Sequence, residues 1–495
     1  MYLREKNLVL GLIDSIYEAA TYIGEVGVEA SSGVILDCIE GMQVIDSMLS
    51  EEEQATESKR QYCELVMIFN GLIDIHTDFK GYVEGLKQEI LRFKTIVEEE
   101  IEHKLKVVFL PYKASMWTSL ESIWKAAQKD PKCEAIVMPI PYYELEHATQ
   151  QLIYKYEGEI YPDYVPVVHF DAYSIEQEQP DIIFIHNPYD DKNTITSVQP
   201  RYYSKNLKNY TSMLVYVPYF IFGPMYRPTM PSAHIKVEAI KHVDKFIVQS
   251  ERVKEIYEKY NSDKDKFIAL GSPKTDAIIE GMKQKVEIPE VWREKINGKK
   301  VFLYNTHLSV IPKGREVAIN NIRDTVYQVT SRQDCVLLWR PHPLSEIMIK
   351  DYAPEYLEEY LEIKNTVMNA SNGIVDESGN YRVAFAISDA LLTTHSSLIR
   401  EYMVTGKPIL IAGQKLDEVL YANSPVDLNC NYFSRDEEDK SVTPDFIEMV
   451  VRGEDPRYSE RMHVIEKALL NCDGTCGEKV MEYIKQAVEV KDKER

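Results

Sequence analysis

Apolar positions in the first hundred residues recur every three or four places. Leu8, Leu12 and Ile16 mark one stripe, Leu65, Ile68 and Leu72 a second, and Leu86, Ile90 and Phe93 a third. This is the spacing of helices with one buried face. No proline interrupts residues 1–103. The pattern predicts three or more helices, the last running from Asp78 to Lys104, with a break at Glu51-Glu52-Glu53. From Lys106 the period changes. Short apolar runs at Lys106–Leu110, Glu134–Pro139, Asp181–His186, Met213–Val217, Lys245–Gln249 and Lys266–Leu270 alternate with helical stretches such as the one opening at Ser119. Continuous apolar runs suit strands buried on both faces, and their alternation with helices predicts a parallel, doubly wound sheet. The charged segment Met282–Lys299, with Pro289 and Gly298, reads as a linker. The pattern then restarts with strands at Lys300–Tyr304, Cys335–Trp339, Ala390–Thr393 and Pro408–Ile411. A long helix is expected over Arg315–Ser331, and a helical tail over Thr443–Val490. The expected organisation is a helical N-terminal region (1–103), a first Rossmann-like α/β domain (104–285), and a second with a helical tail (286–495).

Composition changes this picture in three ways. The chain has 495 residues, too many for one core, and its 44% apolar and 27% charged content is that of a globular protein. The net charge of −22 argues against a nucleic-acid partner and against broad adsorption to an anionic membrane. Residues 1–103 carry 8 Lys/Arg against 21 Asp/Glu and no clustered chemistry, so that region is expected to serve self-association or docking. Seven cysteines are scattered, only Cys472 and Cys476 lie close together, and no second pair completes a zinc site; reduced thiols are expected. The start, Met-Tyr-Leu-Arg-Glu-Lys, lacks the pattern of a signal peptide, and no apolar run has the length of a membrane span. A cytoplasmic protein is expected.

Ligands of doubly wound sheets sit at the carboxyl ends of the strands. In the first domain those loops carry Lys113, Trp117, His186, Asp190 and Tyr219. In the second, Asn305 and His307 follow the first strand, and the turn Arg340-Pro341-His342-Pro343 follows the next. Two prolines fix that turn, a guanidinium fork suits phosphate, and an imidazole exchanges protons near neutral pH. Thr394, His395, Ser396 and Ser397 follow Ala390–Thr393 and open a helix expected to end near Gly406. Hydroxyls and free N–H groups at such a start favour an anion. No Gly-x-x-x-x-Gly-Lys-Ser/Thr loop, dinucleotide fingerprint, nucleophile elbow or metal-ligand set is present. Phosphate charge is therefore expected to be met by side chains and helix starts, with no metal.

These stretches together resemble the CDP-glycerol glycerophosphotransferase family of teichoic acid synthesis. That family carries an Arg-x-His-Pro turn, a Ser-Asp-apolar-apolar-Thr strand, a Ser-Ser helix start and a Lys-Pro-apolar strand. Gly271-Ser272-Pro273-Lys274-Thr275-Asp276 resembles its Gly-x-Pro-Arg-x-Asp element, and the likeness runs in order through roughly residues 105–490. Thr394-His395 stands where the family has Asp-Tyr, and Lys274 replaces an Arg. The family's Trp-His-Gly-Thr-Pro element, which holds a proposed catalytic His, has no counterpart; Tyr216-Val217-Pro218-Tyr219-Phe220 occupies its place. The resemblance implies a GT-B-like fold of two doubly wound domains. It further implies transfer of glycerol phosphate, or a related alditol phosphate, from a CDP-alcohol to a hydroxyl of a polymer or lipid-linked acceptor, with release of CMP. The donor would be CDP-glycerol or CDP-ribitol, no further cofactor would be needed, and contact with the inner face of the membrane would be peripheral. Arg340, Thr394, His395, Ser396, Ser397 and Glu401 would hold the donor, joined by Ser272, Lys274, Asp276, Asn305 and His307. His342 would touch the same phosphates or protonate the leaving CMP. Strand-end position, independently of the family, adds His186 as the base that activates the acceptor, Asp190 as its orienting group, and Lys113, Trp117 and Tyr219 as the acceptor side. Two alternatives stand beside this reading: a glycosyltransferase using a nucleotide sugar, and a non-catalytic degenerate transferase acting as a partner protein.

Overall fold

The structure, a computed structural model, describes residues 1–72, 78–146, 151–193, 196–223, 233–283, 286–378, 381–394, 396–412, 424–434 and 442–493. It divides into two compact units, Met1–Val107 with Gln128–Ala135, and Val108–Ala127 with Ile136–Arg495.

The first unit is built on helices α1 (Leu3–Val26), α2 (Ser32–Ser50), α3 (Thr56–Gly71) and α4 (Phe79–Glu100). Its core is the stripe Val9, Ile13, Ile16, Ala20 and Ile23 of α1, met by Leu86, Ile90, Phe93 and Val97 of α4. The buried face of α1 is thus turned by one residue from the expected one, and Leu8 is 48% exposed. The acidic triplet separates α2 from α3. Asp78 caps α4 by accepting the Gly81 N–H at 3.3 Å.

The second unit holds most of two six-stranded sheets. The strands are β1 (Leu105–Leu110), β2 (Cys133–Val137), β3 (Tyr142–Glu146), β4 (Gln151–Lys155), β5 (Ile182–Ile185), β6 (Thr196–Val198), β7 (Met213–Tyr216), β8 (Lys245–Val248), β9 (Phe267–Ala269), β10 (Lys300–Thr306), β11 (Cys335–Pro341), β12 (Gly373–Val375), β13 (Ala390–Thr393), β14 (Ile409–Ala412) and β15 (Tyr432–Ser434). The first sheet has the order β2-β1-β5-β7-β8-β9 and the second β12-β11-β10-β13-β14-β15. Numbered within its own sheet, the second order is 3-2-1-4-5-6, that of dinucleotide-binding folds, with its switch point between β10 and β13. In the first sheet the switch lies between β1 and β5. The expected apolar runs all became strands; β10, β11 and β13 are buried almost throughout, as strands covered on both faces are, while β2 and β9, at the two edges of the first sheet, are only partly buried. A third sheet, β4-β3-β6, is antiparallel. No expectation covered it, nor β12 and β15.

Helices α5 (Glu121–Lys129), α6 (Lys274–Lys283), α7 (Val310–Thr330), α8 (Leu398–Met403) and α9 (Cys476–Lys493) position the side chains of the two rims and the tail. The tail does not stay with the second sheet. The carboxylate of Asp276, on α6, accepts the N–H groups of Cys476 (3.2 Å) and Gly477 (2.7 Å) at the start of α9. Near its end Lys491 bonds Asp244 (2.5 Å) and the Ser212 carbonyl (2.7 Å). Gly271 has φ +105°, and a Cβ there would lie 2.0 Å from the Leu470 carbonyl, so only glycine permits this return. Among the described residues no helix is long and apolar enough to cross a membrane.

Candidate active site

Parallel pairing sets the second rim. Asn305 of β10 is in register with Arg340 of β11 and Thr393 of β13, and Thr306 with Pro341. One residue further on, His307 and His342 emerge side by side, with ring centroids 6.3 Å apart. Thr394 emerges beside them, its hydroxyl accepting the His307 N–H at 3.1 Å. His395, the next residue of the expected set, lies outside the described residues.

Both imidazoles are held the same way. Nδ1 of His307 accepts the Ser309 N–H (3.2 Å), and Nδ1 of His342 accepts the Leu344 N–H (3.1 Å). An accepting Nδ1 places the proton of the neutral ring on Nε2, so each ring offers Nε2–H as a donor. Burial, helped by Lys313, lowers the pKa of His307; burial and the neighbouring His307 lower that of His342.

Arg340 does not project freely. Its guanidinium pairs with Asp376, donates to the Ser378 carbonyl (2.5 Å) and reaches the Ser378 hydroxyl (3.3 Å). The Asp376 side chain is 1% exposed, which makes the pair a buried one and fixes the plane of the fork. Asn305 ties the strands together by donating to the Arg340 carbonyl at 2.9 Å. The expected anion-binding helix is short: α8 begins at Leu398 and ends at Met403 rather than near Gly406. The Ser396 hydroxyl accepts the Leu398 N–H (3.1 Å), while Ser397 occupies the cap position without a side-chain cap. A six-residue helix offers little dipole, so charge at this rim falls to side chains.

The Gly-Ser-Pro-Lys-Thr-Asp element does three different things. Lys274 crosses from α6 to α8, pairing with Glu401 at 2.8 Å and donating to the Tyr219 carbonyl at 3.2 Å. Both side chains are about nine-tenths buried (11% and 9% exposed). Ser272 is buried and its carbonyl accepts the Thr275 hydroxyl at 2.8 Å. Asp276 caps α9, which corrects its expected role at the donor. A second buried pair, Glu121 with Arg382, also links residues of the first and second sheets' lobes, and Tyr164 donates to Glu121 at 2.6 Å.

The first rim corrects three expectations. His186 has no exposed surface. Its Nε2 accepts the Tyr112 N–H (3.1 Å) and its Nδ1 lies 3.1 Å from the Ser119 hydroxyl. Burial, with Lys274 nearby, pushes its pKa down to about 3. A ring with both nitrogens engaged and no route to solvent is not placed to take a proton from an acceptor. Asp190 does not orient it; its two oxygens accept the Ser204 N–H (2.9 Å) and hydroxyl (2.8 Å), in a left-handed turn with φ +52°. Trp117 is a packing residue, buried against Trp124 and Tyr161 with centroids 5.8 Å away in each case. Lys113 does stand at the rim, 2.9 Å from Glu144 and 4.9 Å over the Tyr142 ring. Tyr219 is half-buried, its ring 6.2 Å from His186. Sequence reasoning missed Asp376, which fixes Arg340, and Glu157 and Ser119, which hold the loop after β1 by accepting the Ala114 N–H (2.7 Å) and by meeting His186. Asp376 directly follows β12, so the strand-end rule would have found it had a three-residue strand been visible; Glu157 and Ser119 carry no such signal.

The family model for CDP-glycerol:poly(glycerophosphate) glycerophosphotransferase matches residues 225–485, more than half of the chain. Among solved structures the chain is similar to a putative UDP-N-acetylglucosamine 2-epimerase from Listeria monocytogenes, with 14% identity, TM-score 0.52, and coverage of 78% of this chain and 97% of that one. It is similar to UDP-GlcNAc 2-epimerase from Methanocaldococcus jannaschii at 12% identity and TM-score 0.51, covering 77% and 100%. These likenesses bear on the fold alone. The wall teichoic acid polymerase TagF, in a form soaked with CDPG, aligns at 12% identity and TM-score 0.49, covering 87% and 98%. No curated protein sequence matches the chain.

Proposed function

The chain belongs to the CDP-glycerol:poly(glycerophosphate) glycerophosphotransferase family, and from that premise we propose how its own residues serve the transfer of glycerol phosphate from CDP-glycerol to a polymer acceptor. The diphosphate sits at the second rim, at the switch point between β10 and β13. The observation that carries this is the pair of in-register strand ends that present His307 and His342 together, both with Nδ1 tied to backbone and Nε2–H left to donate. Arg340, its plane fixed by Asp376, supplies the positive charge.

In the transfer an acceptor oxygen bonds to the glycerol-bearing phosphorus as the bond from that phosphorus to the CMP oxygen breaks. Phosphoryl transfer of this kind depends on positioning and charge stabilisation. A phosphate monoester has a second pKa near 6, so CMP leaves without needing a strong acid. Neutral His342 therefore serves as a hydrogen-bond donor to phosphate oxygen, which suits its lowered pKa, rather than as the proton source for CMP. In a loose transition state the attacking hydroxyl gives up its proton late, so the absence of a histidine at Tyr216–Phe220 does not forbid the reaction. A lipid-linked form of the acceptor, peripheral contact with the membrane that holds it, and CDP-ribitol as an alternative donor belong to this same reading.

The test is donor binding by calorimetry. CDP-glycerol should bind the wild-type protein and UDP-sugars should not, and His342→Gln should weaken the donor. A protein that binds UDP-N-acetylglucosamine in preference to both CDP-alcohols is a glycosyltransferase or epimerase relative in function, and the reading fails.

A further inference from the structure

The first sheet has its own switch point, between β1 and β5, and the loop Pro111–Leu120 that leaves β1 there is held from several directions. His186, at the end of β5, accepts the Tyr112 N–H, and its other nitrogen meets the Ser119 hydroxyl, which donates to the Met116 carbonyl at 2.9 Å. Glu157 accepts the Ala114 N–H at 2.7 Å with one oxygen and the Tyr142 hydroxyl at 2.5 Å with the other. The loop closes on itself through the Met116 N–H and the Lys113 carbonyl at 3.0 Å. Both ends and the middle of the loop are thus fixed by buried or half-buried groups. The charged side chain of this loop is Lys113, 20% exposed beside the exposed Ser115, lying over the Tyr142 ring and paired with a Glu144 that is itself 38% exposed.

Such restraint suits a residue that must meet a ligand in one geometry, because the ordering cost has been met in folding. The chemistry of the displayed group selects the ligand. A lysine beside an aromatic face, in a chain of net charge −22, is a local site for an anion that the rest of the surface repels. Glu144 can be hydrated when an anion replaces it, because it stands partly in water.

We infer that the crevice between β1 and β5 is the seat of the acceptor, with Lys113 binding a phosphodiester of the polyanionic chain, and with His186 and Glu157 as positioning residues that hold its loop. This rests on the proposed donor site for the direction of transfer, but binding of the acceptor can be measured without it. His186 here is a neutral staple. A base role would require the nitrogens that Tyr112 and Ser119 occupy.

The experiment titrates the full-length protein with a short glycerol phosphate oligomer by calorimetry, with CDP-glycerol titrated in parallel. Lys113→Met should weaken the oligomer about tenfold and remove most of the salt dependence of its binding, leaving the donor Kd unchanged. His186→Ala and Glu157→Gln should weaken the oligomer as well, and His186→Gln, which can still accept the Tyr112 N–H, should restore much of the loss. If His186→Ala fails to fold, Glu157→Gln carries the positioning test alone. Oligomer affinity unchanged in Lys113→Met overturns the site. Restored affinity in His186→Gln combined with loss of the acid limb of the turnover profile overturns the staple and makes His186 a base. Failure of CDP-glycerol to bind the wild type, with the oligomer still bound through Lys113, sinks the donor reading and leaves the acceptor site standing.

Discussion

At the scale of single residues, the structure separates groups by what else they touch. Arg340 was legible as a phosphate ligand from its place in Arg-Pro-His-Pro, but its buried partner Asp376 was not, because the two lie 36 positions apart and nothing between them signals the pairing. That partner changes the outcome of mutation. Arg340→Ala leaves a carboxylate buried and unpaired, a loss on the order of 3–5 kcal/mol, so a lowered Tm is expected along with weaker CDP-glycerol binding. The double variant Arg340→Ala with Asp376→Asn should regain much of the stability while donor affinity stays low. Recovery of donor affinity in the double variant, measured by calorimetry, would remove Arg340 from the phosphate site.

His186 shows the converse: position at a strand end suggested chemistry, and burial removed it. Its folded pKa lies near 3, against 6.5 for an unperturbed histidine. Because the folded value is depressed, the stability that neutral His186 contributes is complete above pH 6.5 and is lost as pH falls from there toward 3. The limiting slope is about 1.4 kcal/mol per pH unit. Urea melts of His186→Gln should therefore show a flatter dependence of stability on pH between 6 and 4 than the wild type. His307 and His342 are depressed as well, and a bound diphosphate would raise them, so donor binding should take up protons. CDP-glycerol affinity should rise as pH falls below about 6.5. A flat profile in a buffer-matched titration would mean that neither ring takes up a proton and that both meet the phosphates, if at all, as neutral donors.

At the scale of elements, apolar runs identified the parallel strands because such strands are buried on both faces and need no alternation. The antiparallel sheet escaped notice for the opposite reason. Its outer strand β4 has Leu152, Ile153 and Tyr154 all exposed, so no contrast between faces marks it. The helix at Ser396 was placed correctly in order but not in length, since a run of good cap residues signals a start and says nothing of how soon tertiary contacts end the helix. The cap that matters elsewhere is Asp276. It looked like part of a nucleotide site by its family-like neighbours, yet it satisfies two N–H groups of α9, 200 residues away. Asp276→Ala should destabilise the protein by about 0.5–2 kcal/mol, the usual cost of a lost N-cap. Differential scanning calorimetry should show this with donor affinity intact; a Tm equal to that of the wild type would mean the cap is redundant with the packing of α9.

At the scale of the whole chain, the change of hydrophobic period near Lys104 announced a helical region distinct from the α/β remainder. The compact unit containing it extends to Val107 and also takes in Gln128–Ala135, a segment that composition assigns to the next domain. A boundary drawn on sequence is a single cut, whereas compactness gathers residues from separate stretches. The two-sheet pattern was legible except for the edge strands β12 and β15, and with it the rims where Lys113, His307 and His342 stand. What the pattern could not show is which lobe the tail belongs to.

That tail has a bearing on synthesis. The last strand of the first sheet ends at Ala269, yet the helix that Asp276 and Asp244 anchor is not complete until Lys493. At roughly 5–20 residues per second, about ten to forty seconds of translation separate α6 from the end of α9. Through that interval the growing chain carries a first lobe with an open flank, the buried carboxylate of Asp276 lacks the N–H groups of α9, and Asp244 is held by Lys208 and the Leu214 N–H alone. Ribosome-stalled chains ending near residue 470 should be cut by protease within the first lobe while full-length chains resist, and adding the 476–493 peptide in trans should restore protection.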